Sequence, residues 1–342
     1  MRAVLYRELG NIDNLAVEQV PLPEVTEDWA CIETHAAGLS FSASLYIEGR
    51  YQRQLPLPYT PGTEVAGIVH AVGPGVDRVA VGDRVMASVD WGGHGGYCLA
   101  HQLCTHKVPK EMSFAQAAMV VNSYATSYAG LVWKGGLAAG EVVLVHSAAG
   151  AIGSAAVEIA KALGATVIAT AGSAERLAFA KAHGADHMIN YTENDFALAV
   201  KELTDGRGAD LIFDSVGGDV AQRSLRCLAI EGRLLTIGYT SGDIPELPSN
   251  IFMVKNASLI GLNIGTYLGW SPGGNRDVYA RRIFEIHDAL RALYEAGKLH
   301  PATALYNGLD QFLPAMKALL NRQVLGKAVI EIGKADRASL CR

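Results

Sequence analysis

The stretch from Glu141 to Ser173 leaves this chain the fewest options. Val142 to Val145 is a short apolar run without polar alternation, the pattern of a parallel strand covered on both faces. The run breaks at His146-Ser147 into small residues, including Gly150 and Gly153. An amphipathic segment follows, with Ala156, Ile159, Ala160 and Leu163 at helical spacing. Gly164 stops that helix, and Thr166-Val167-Ile168 opens a second β-rich run. Strand, tight turn, helix and strand within about thirty residues is the size of a βαβ unit.

The glycines sit where a dinucleotide-binding turn needs them. The usual fingerprint is G-x-G-x-x-G, and the corresponding positions read Ala148-Ala149-Gly150-Ala151-Ile152-Gly153. Gly150 would let the backbone approach a pyrophosphate, and Gly153 would let the helix pack closely on the strand. The helix N-terminus then offers free N–H groups and a positive dipole end to the phosphates. Ala148 replaces the first glycine, so the weight rests on the position between strand and helix; the bland alternative is a structural turn. NAD-specific folds carry an acidic residue about 20 positions further on. Here Ile168, Ala169, Thr170, Ala171 and Gly172 are all non-acidic, and Ser173 and Arg176 come next. A hydroxyl and a guanidinium suit a 2′-phosphate, so the expected cofactor is NADPH. The competing account of Arg176 is a solvated helix residue offset by Glu175.

The 342 residues suffice for two domains, and with half of them hydrophobic and 18% charged a sizeable core can be buried. No apolar run reaches the roughly 18 residues of a membrane span, and no signal-peptide core precedes the first strand-like pattern at Ala3. A net charge of −5 with no Lys/Arg cluster argues against nucleic acid as a partner. The five cysteines (Cys31, Cys98, Cys104, Cys227 and Cys341) are scattered and odd in number, which suits a reducing compartment. His94, Cys98, His101 and Cys104 lie close together, but their spacing fits no common zinc pattern. A cytoplasmic, metal-free protein with no membrane partner is expected.

Residues 1 to about 122 read as many short strands punctuated by Gly and Pro, which points to a β-barrel or sandwich. Residues 113 to 133 read as helices. From 141 to about 263 strand and helix alternate as in a doubly wound sheet, with strands at His187-Ile189, Asp210-Asp214, Arg233-Ile237 and Ser258-Leu262. Helices are expected at Ala174–His183, Asp195–Leu203, Ala221–Leu228 and Val278–Ala296. The polar last ten residues are expected to fray.

With a β-rich segment ahead of the βαβ unit, the chain resembles the zinc-independent NADPH:quinone oxidoreductases (ζ-crystallin-like) of the medium-chain dehydrogenase/reductase superfamily. The likeness spans nearly the whole length. It rests on Ala37-Gly38-Leu39-Ser40-Phe41, Pro61 to Gly67, Val81-Gly82-Asp83-Arg84-Val85, Ser147 to Gly153, Asp214 to Gly218, and Gly326-Lys327. It implies a GroES-like β-rich domain (1–123 and 267–342) plus a Rossmann doubly wound parallel sheet domain (124–266), an active cleft between them, and a homodimer. Zinc-dependent relatives carry Cys where this chain has Ser40 and His where it has Thr63, and the four-cysteine lobe between Asp83 and Gly96 is missing. Without a Lewis acid, alcohol oxidation loses its support. Reduction of a quinone or an activated C=C needs only a hydride and a proton.

By resemblance the cofactor is held by Ser40, Thr126, Ala149, Gly150, Ala151, Ile152, Gly153, Gly172, Ser173, Arg176, Tyr191, Ser215, Val216, Gly238, Tyr239 and Lys327, with the segment Asn263 to Tyr267 alongside. Lys327 matches a family lysine that reaches the cofactor; an exposed strand-end lysine is the alternative. Tyr239 and Tyr267 are equally accounted for as packing aromatics. Quinone reductases have Asn and Asp where this chain has Ser40 and Ala43. The proton donor is therefore left between Ser40 and Tyr51, the latter matching the Tyr that related 2-enoyl thioester reductases use. Tyr51 packed under Pro56 and Pro58 is the other account. An enoyl thioester substrate, met by Arg50, Arg53, Arg276, Arg281 and Arg282, and an NADPH-binding protein with little turnover remain as rivals.

Overall fold

A computed structural model describes residues 1–271 and 275–338, so the last four residues, Cys341 among them, lie outside the described residues. The rest of the tail, expected to fray, instead forms the short helix Lys334–Arg337, held by the buried Asp336 on Arg2 at 2.7 Å. The chain divides into two compact units, one of residues 1–122, 265–289 and 301–342, the other of 123–264 and 290–300. The segment 290–300, expected with the first unit, belongs to the second: Leu290 and Leu299 are buried, and the backbone N–H of His300 donates to Glu158 at 2.9 Å.

In the first unit the long strand Trp29–Gly38 is the centre of a seven-stranded sheet. It pairs antiparallel with Glu64–Val72 and Tyr97–His101, and with Lys327–Glu331, which returns from the far end of the chain. Arg84–Ser88 and Thr105–Lys107 extend one side, and Thr303–Asn307 closes the other in parallel with Lys327–Glu331. A separate hairpin pairs Arg2–Leu5 with Ala16–Gln19. Val4, Ile32, Val65, Val85, Phe312 and Ile330 are among the side chains of its core. Ser40 enters a short helix, Phe41–Ile47, that the sequence pattern did not suggest.

The second unit is a six-stranded sheet, parallel throughout, in the order His187–Asn190, Thr166–Ala171, Val142–Val145, Ala209–Asp214, Leu228–Thr236, Ser258–Gly261. This is the doubly wound order whose direction reverses between Val142–Val145 and Ala209–Asp214. All four residues of Val142–Val145 are buried, which explains the absence of polar alternation. The expected helix at 221–228 ends earlier, running Gly218–Ser224, because Leu228 already begins the next strand opposite Ala209. Between the strand-rich segment and this sheet, Ser113 and Gln116 form a capping box for Phe114–Met119. The chain then continues through π-helical turns at Val120–Tyr124 and Ala129–Lys134, on either side of Ala125–Tyr128. Such turns are rare and favour functional sites.

Candidate active site

In the second unit the turn after Val142–Val145 sits where the sheet order reverses, the usual ligand-binding position of an open parallel sheet. His146 anchors it. The ring is buried between the hydroxyls of Thr170 and Ser224, each 2.9 Å away, and loss of water pushes its pKa down to about 3. A neutral imidazole is thus a structural pin. Ser147 takes φ 53°, bending the chain into the helix Ala151–Ala162, which Gly150 caps without a side-chain bond. The twelve-residue helix therefore begins with unoccupied N–H groups facing the turn.

The two glycines of the turn differ in kind. A Cβ on Gly153 would stand 2.2 Å from the Ser147 carbonyl oxygen, so the helix approaches the turn through a glycine surface. A Cβ on Gly150 would meet nothing closer than 3.4 Å. The protein's own packing has no use for glycine at 150; a ligand lying against the backbone does. That is the observation by which the residues present fit a dinucleotide pyrophosphate. Ala149, Ala151 and Ile152 complete the turn, and the Ser127 hydroxyl lies 2.9 Å from both the Ile152 and the Ser123 carbonyls, between which its one proton is shared. Thr126 lies beside Ser127, buried.

Beyond Thr166–Ala171, Gly172 is pressed against Tyr191: a Cβ there would stand 2.6 Å from the phenol oxygen. Ser173 caps Ala174–Ala182 by accepting from the Arg176 N–H at 3.4 Å. Gly172, Ser173 and Tyr191 thus lie together at one end of adjacent strands, with the Arg176 backbone in the first turn of the helix that follows. On the other side of the reversal, Asp214 Oδ1 accepts from the N–H groups of Val216 and Gly217 at 2.8 and 3.2 Å. Its burial nevertheless raises its pKa against those two bonds. Ser215 and Val216 are stitched to the loop after Leu228–Thr236 by Thr240 and Ser241, whose N–H groups donate to their carbonyls at 3.1 and 3.0 Å. Gly238 and the partly exposed Tyr239 lie in that loop, Tyr239 close against Gly217.

The first unit holds a pocket lined by Gly38, Ser40, Ser42, Ala43, Tyr46, Leu55, Tyr59, Pro61, Gly62, Thr63, Asp90, Trp91 and His94. Ser40 belongs to it, sharing a 2.9 Å hydrogen bond with Ser42. Tyr51 is not among the lining residues; its ring packs on Tyr46 at 4.2 Å, and burial raises its pKa. Lys327 is buried, not an exposed strand-end lysine. Its ammonium is paired with Glu64, the two side chains being 4% and 1% exposed. A buried charge requires a counter-charge, and this pairing turns Lys327 inward. Burial raises the Glu64 pKa while Lys327 opposes the shift. Tyr267 packs edge-on against Tyr279 at 4.6 Å.

The sequence does not single out Tyr46 and Tyr59 as site residues, and it brings in His94 only as a zinc ligand whose spacing fails. Their only signal is indirect: His94 sits in Gly92-Gly93-His94-Gly95-Gly96, and Tyr59 in Pro58-Tyr59-Thr60-Pro61, each a bulky polar ring among turn formers.

Residues 26–138 match the alcohol dehydrogenase GroES-like domain family, and residues 151–274 match the zinc-binding dehydrogenase family. The chain is 37% identical over 336 residues to a quinone oxidoreductase-like protein 2 homolog of Nematostella vectensis, covering 96% of this chain and 88% of that protein. It is 29% identical to the crystal structure of quinone oxidoreductase from Pseudomonas syringae, with a TM-score of 0.88 over 96% of this chain and 99% of the other. Against the Escherichia coli quinone oxidoreductase complexed with NADPH it is 28% identical, with a TM-score of 0.87 over 97% and 100%.

Proposed function

The chain belongs to the quinone oxidoreductase family of the medium-chain dehydrogenases/reductases, and from that premise we propose an NADPH-dependent reductase of quinones or α,β-unsaturated carbonyl compounds. The observation that carries the reading is the turn at Gly150, glycine where the fold has room for a side chain, followed by Ser173 and Tyr191 beside Gly172, with Arg176 in the first turn of the next helix. The phosphates would lie on the N–H groups that open Ala151–Ala162, and the 2′-phosphate would take Arg176 and the hydroxyls of Ser173 and Tyr191. Ser215, Val216, Gly238 and Tyr239 would border the nicotinamide end.

When bound, NADPH supplies a hydride to an electron-poor carbon. The chain's own share is to hold the acceptor, exclude water, and offer a hydrogen bond where negative charge develops. Ser40 is a candidate for that bond because its hydroxyl lines the pocket of the first unit. The enoyl thioester alternative needs free arginines for the phosphates of CoA. Arg276 bonds Asp90 at 3.0 Å and Arg53 lies 3.8 Å from it, both largely buried, whereas Arg50 and Arg281 make only exposed pairs with Glu48 and Glu285. The quinone or enone reading is preferred on the likeness to quinone oxidoreductases.

No zinc is proposed, since Ser40 and Thr63 replace the ligands of zinc-dependent relatives; a chelator should leave turnover unchanged. A homodimer is proposed through Ser258–Gly261, an edge strand with three of its four residues exposed, adjoining Met253 and Val254, which are likewise exposed. Sedimentation as a monomer would remove that part. The central reading is tested by titrating the protein's fluorescence with NADPH and NADH, wild type against Arg176→Ala, and by following NADPH oxidation with 1,4-quinones and cyclic enones. Preference for NADPH that the variant loses, with turnover of either panel, supports it. Tight NADPH binding without turnover would instead mean a cofactor-binding protein that is not an efficient reductase.

A further inference from the structure

Buried polar side chains in folded proteins are almost always hydrogen-bonded, and each exception calls for an explanation. Two exceptions converge on one pocket. Tyr59 is 5% exposed and its hydroxyl has no hydrogen-bond partner. His94 is 0% exposed and its ring nitrogens make no well-formed hydrogen bond, the Pro61 carbonyl lying near enough to act on the ring. Both line the pocket that also holds Ser40.

Both rings are also held rigidly. Tyr59 exchanges two backbone hydrogen bonds with Tyr6, at 2.9 and 3.0 Å, and the rings stack with centroids 5.5 Å apart. His94 donates its backbone N–H to Pro61 at 2.9 Å, accepts from Val4 at 2.9 Å, and sets its ring edge-on against Phe312 at 4.7 Å. Gly62 makes room for it, because a Cβ there would stand 2.5 Å from His94 Nδ1. A hydroxyl and an imidazole fixed by backbone and packing, yet left without a well-formed hydrogen bond, are groups prepared for something outside the chain.

Building on the reductase reading, we propose that Tyr59 and His94 form the subsite for the neutral carbonyl oxygen of the acceptor, with the Tyr59 hydroxyl as hydrogen-bond donor to it. The chemistry is that of a neutral donor pair. Burial drives the His94 pKa down to about 4 and lifts that of Tyr59 to about 12, so near pH 7 both are uncharged and both carry a proton to donate. The one charged side chain in the lining, Asp90, is already engaged by Arg276 at 3.0 and 3.1 Å and by Trp270 Nε1 at 3.0 Å. Such a lining suits a quinone or enone oxygen better than a carboxylate. During reduction the acceptor carbon gains a hydride and the electron pair of its C=O or C=C–C=O system moves to oxygen. The nicotinamide is oxidised, and a solvent proton completes the product. Tyr59 and His94 would hold that oxygen as its charge grows.

The test is Tyr59→Phe in the full chain, with 1,4-benzoquinone and 2-cyclohexenone as acceptors. Removing a donor to a developing oxyanion lowers turnover by about 100-fold or more, so kcat/KM should fall by about that factor. Binding of NADPH should stay within twofold, and Tm should hold or rise because an unpartnered buried hydroxyl has gone. His94→Asn should lower kcat/KM by at least about tenfold. Unchanged kinetics in Tyr59→Phe, with or without a fall in Tm, would overturn the proposal and leave a structural hydroxyl, for instance one bonded to a buried water. Calorimetric binding of hydroquinone separates failure here from failure of the reductase reading. If wild type shows no turnover yet binds hydroquinone at least tenfold more tightly than Tyr59→Phe, the subsite stands and the reductase reading falls. Equal binding, or none, overturns the subsite.

Discussion

The glycine turn of the second unit and the pocket of the first are built on opposite principles. In the turn, His146 is held by two hydroxyls, Asp214 by two N–H groups, and the loops at Ser215 and Thr240 by backbone bonds. In the first unit, by contrast, lie all the buried side-chain polar atoms that lack a hydrogen bond among the described residues. Tyr59, Glu64 and His94 contribute four of those atoms. A turn that binds through backbone can satisfy every side chain around it and still present N–H groups to a ligand. A pocket that binds through side chains has to leave some of them unsatisfied, and that costs stability.

The contrast can be broken at its most exposed point, the Glu64–Lys327 pair. If Lys327 is there to neutralise Glu64, Lys327→Ala strands a buried carboxylate and should cost about 3–5 kcal/mol of stability, read by denaturant unfolding. The double variant Glu64→Leu/Lys327→Met should recover most of that loss. A single variant as stable as wild type, with weakened NADPH binding, would instead assign Lys327 to the cofactor. In the second unit the corresponding break is Gly153→Ala. A methyl group 2.2 Å from the Ser147 oxygen should cost about 1–3 kcal/mol and disturb the turn enough to weaken NADPH binding as well.

A smaller effect sharpens the same comparison through pH. His94 and His287 of the first unit and His146 of the second have pKa values pushed by burial to about 4, about 3 and about 3. The unfolded chain titrates its histidines near 6.5, so below that pH it takes up protons the folded state refuses. Stability is therefore whole above about pH 6.5 and is lost as pH falls towards about 3, at about 1.4 kcal/mol per pH unit for each such proton. His287 stacks on His106 at 3.7 Å and its Nδ1 has no hydrogen bond. His287→Phe keeps the stack and removes one titrating group, so the drop in Tm between pH 7 and pH 5 should shrink. An unchanged drop would mean that His287 is not held neutral.

The same contrast explains what the sequence revealed. The strand, turn and helix at 142–162 were legible because each signal is local: apolar run, glycines, amphipathic spacing. Ser173, Arg176 and Tyr191 come from counting past the fingerprint or from resemblance, and only the closeness of Ser173 and Tyr191 to Gly172 is visible in the fold. Tyr59 and His94 could not be reached that way, because a missing partner is a property of packing between segments far apart in the chain. The partner of Lys327 was hidden for a similar reason: nothing near it in sequence indicates Glu64, 263 residues away. Leu228 was assigned to a helix because its partner Ala209 lies across a crossover that the local pattern does not reveal.

The most direct test of the account is Gly150→Ala, followed by NADPH titration and thermal melting on the same preparation. The fold has room for the methyl group, its nearest neighbours being 3.4 and 3.5 Å away, so Tm should stay within about 1 °C. If a pyrophosphate lies against this backbone, NADPH affinity should nevertheless fall at least about tenfold. A variant that binds NADPH as wild type does would contradict the cofactor site, and with it the proposed reductase.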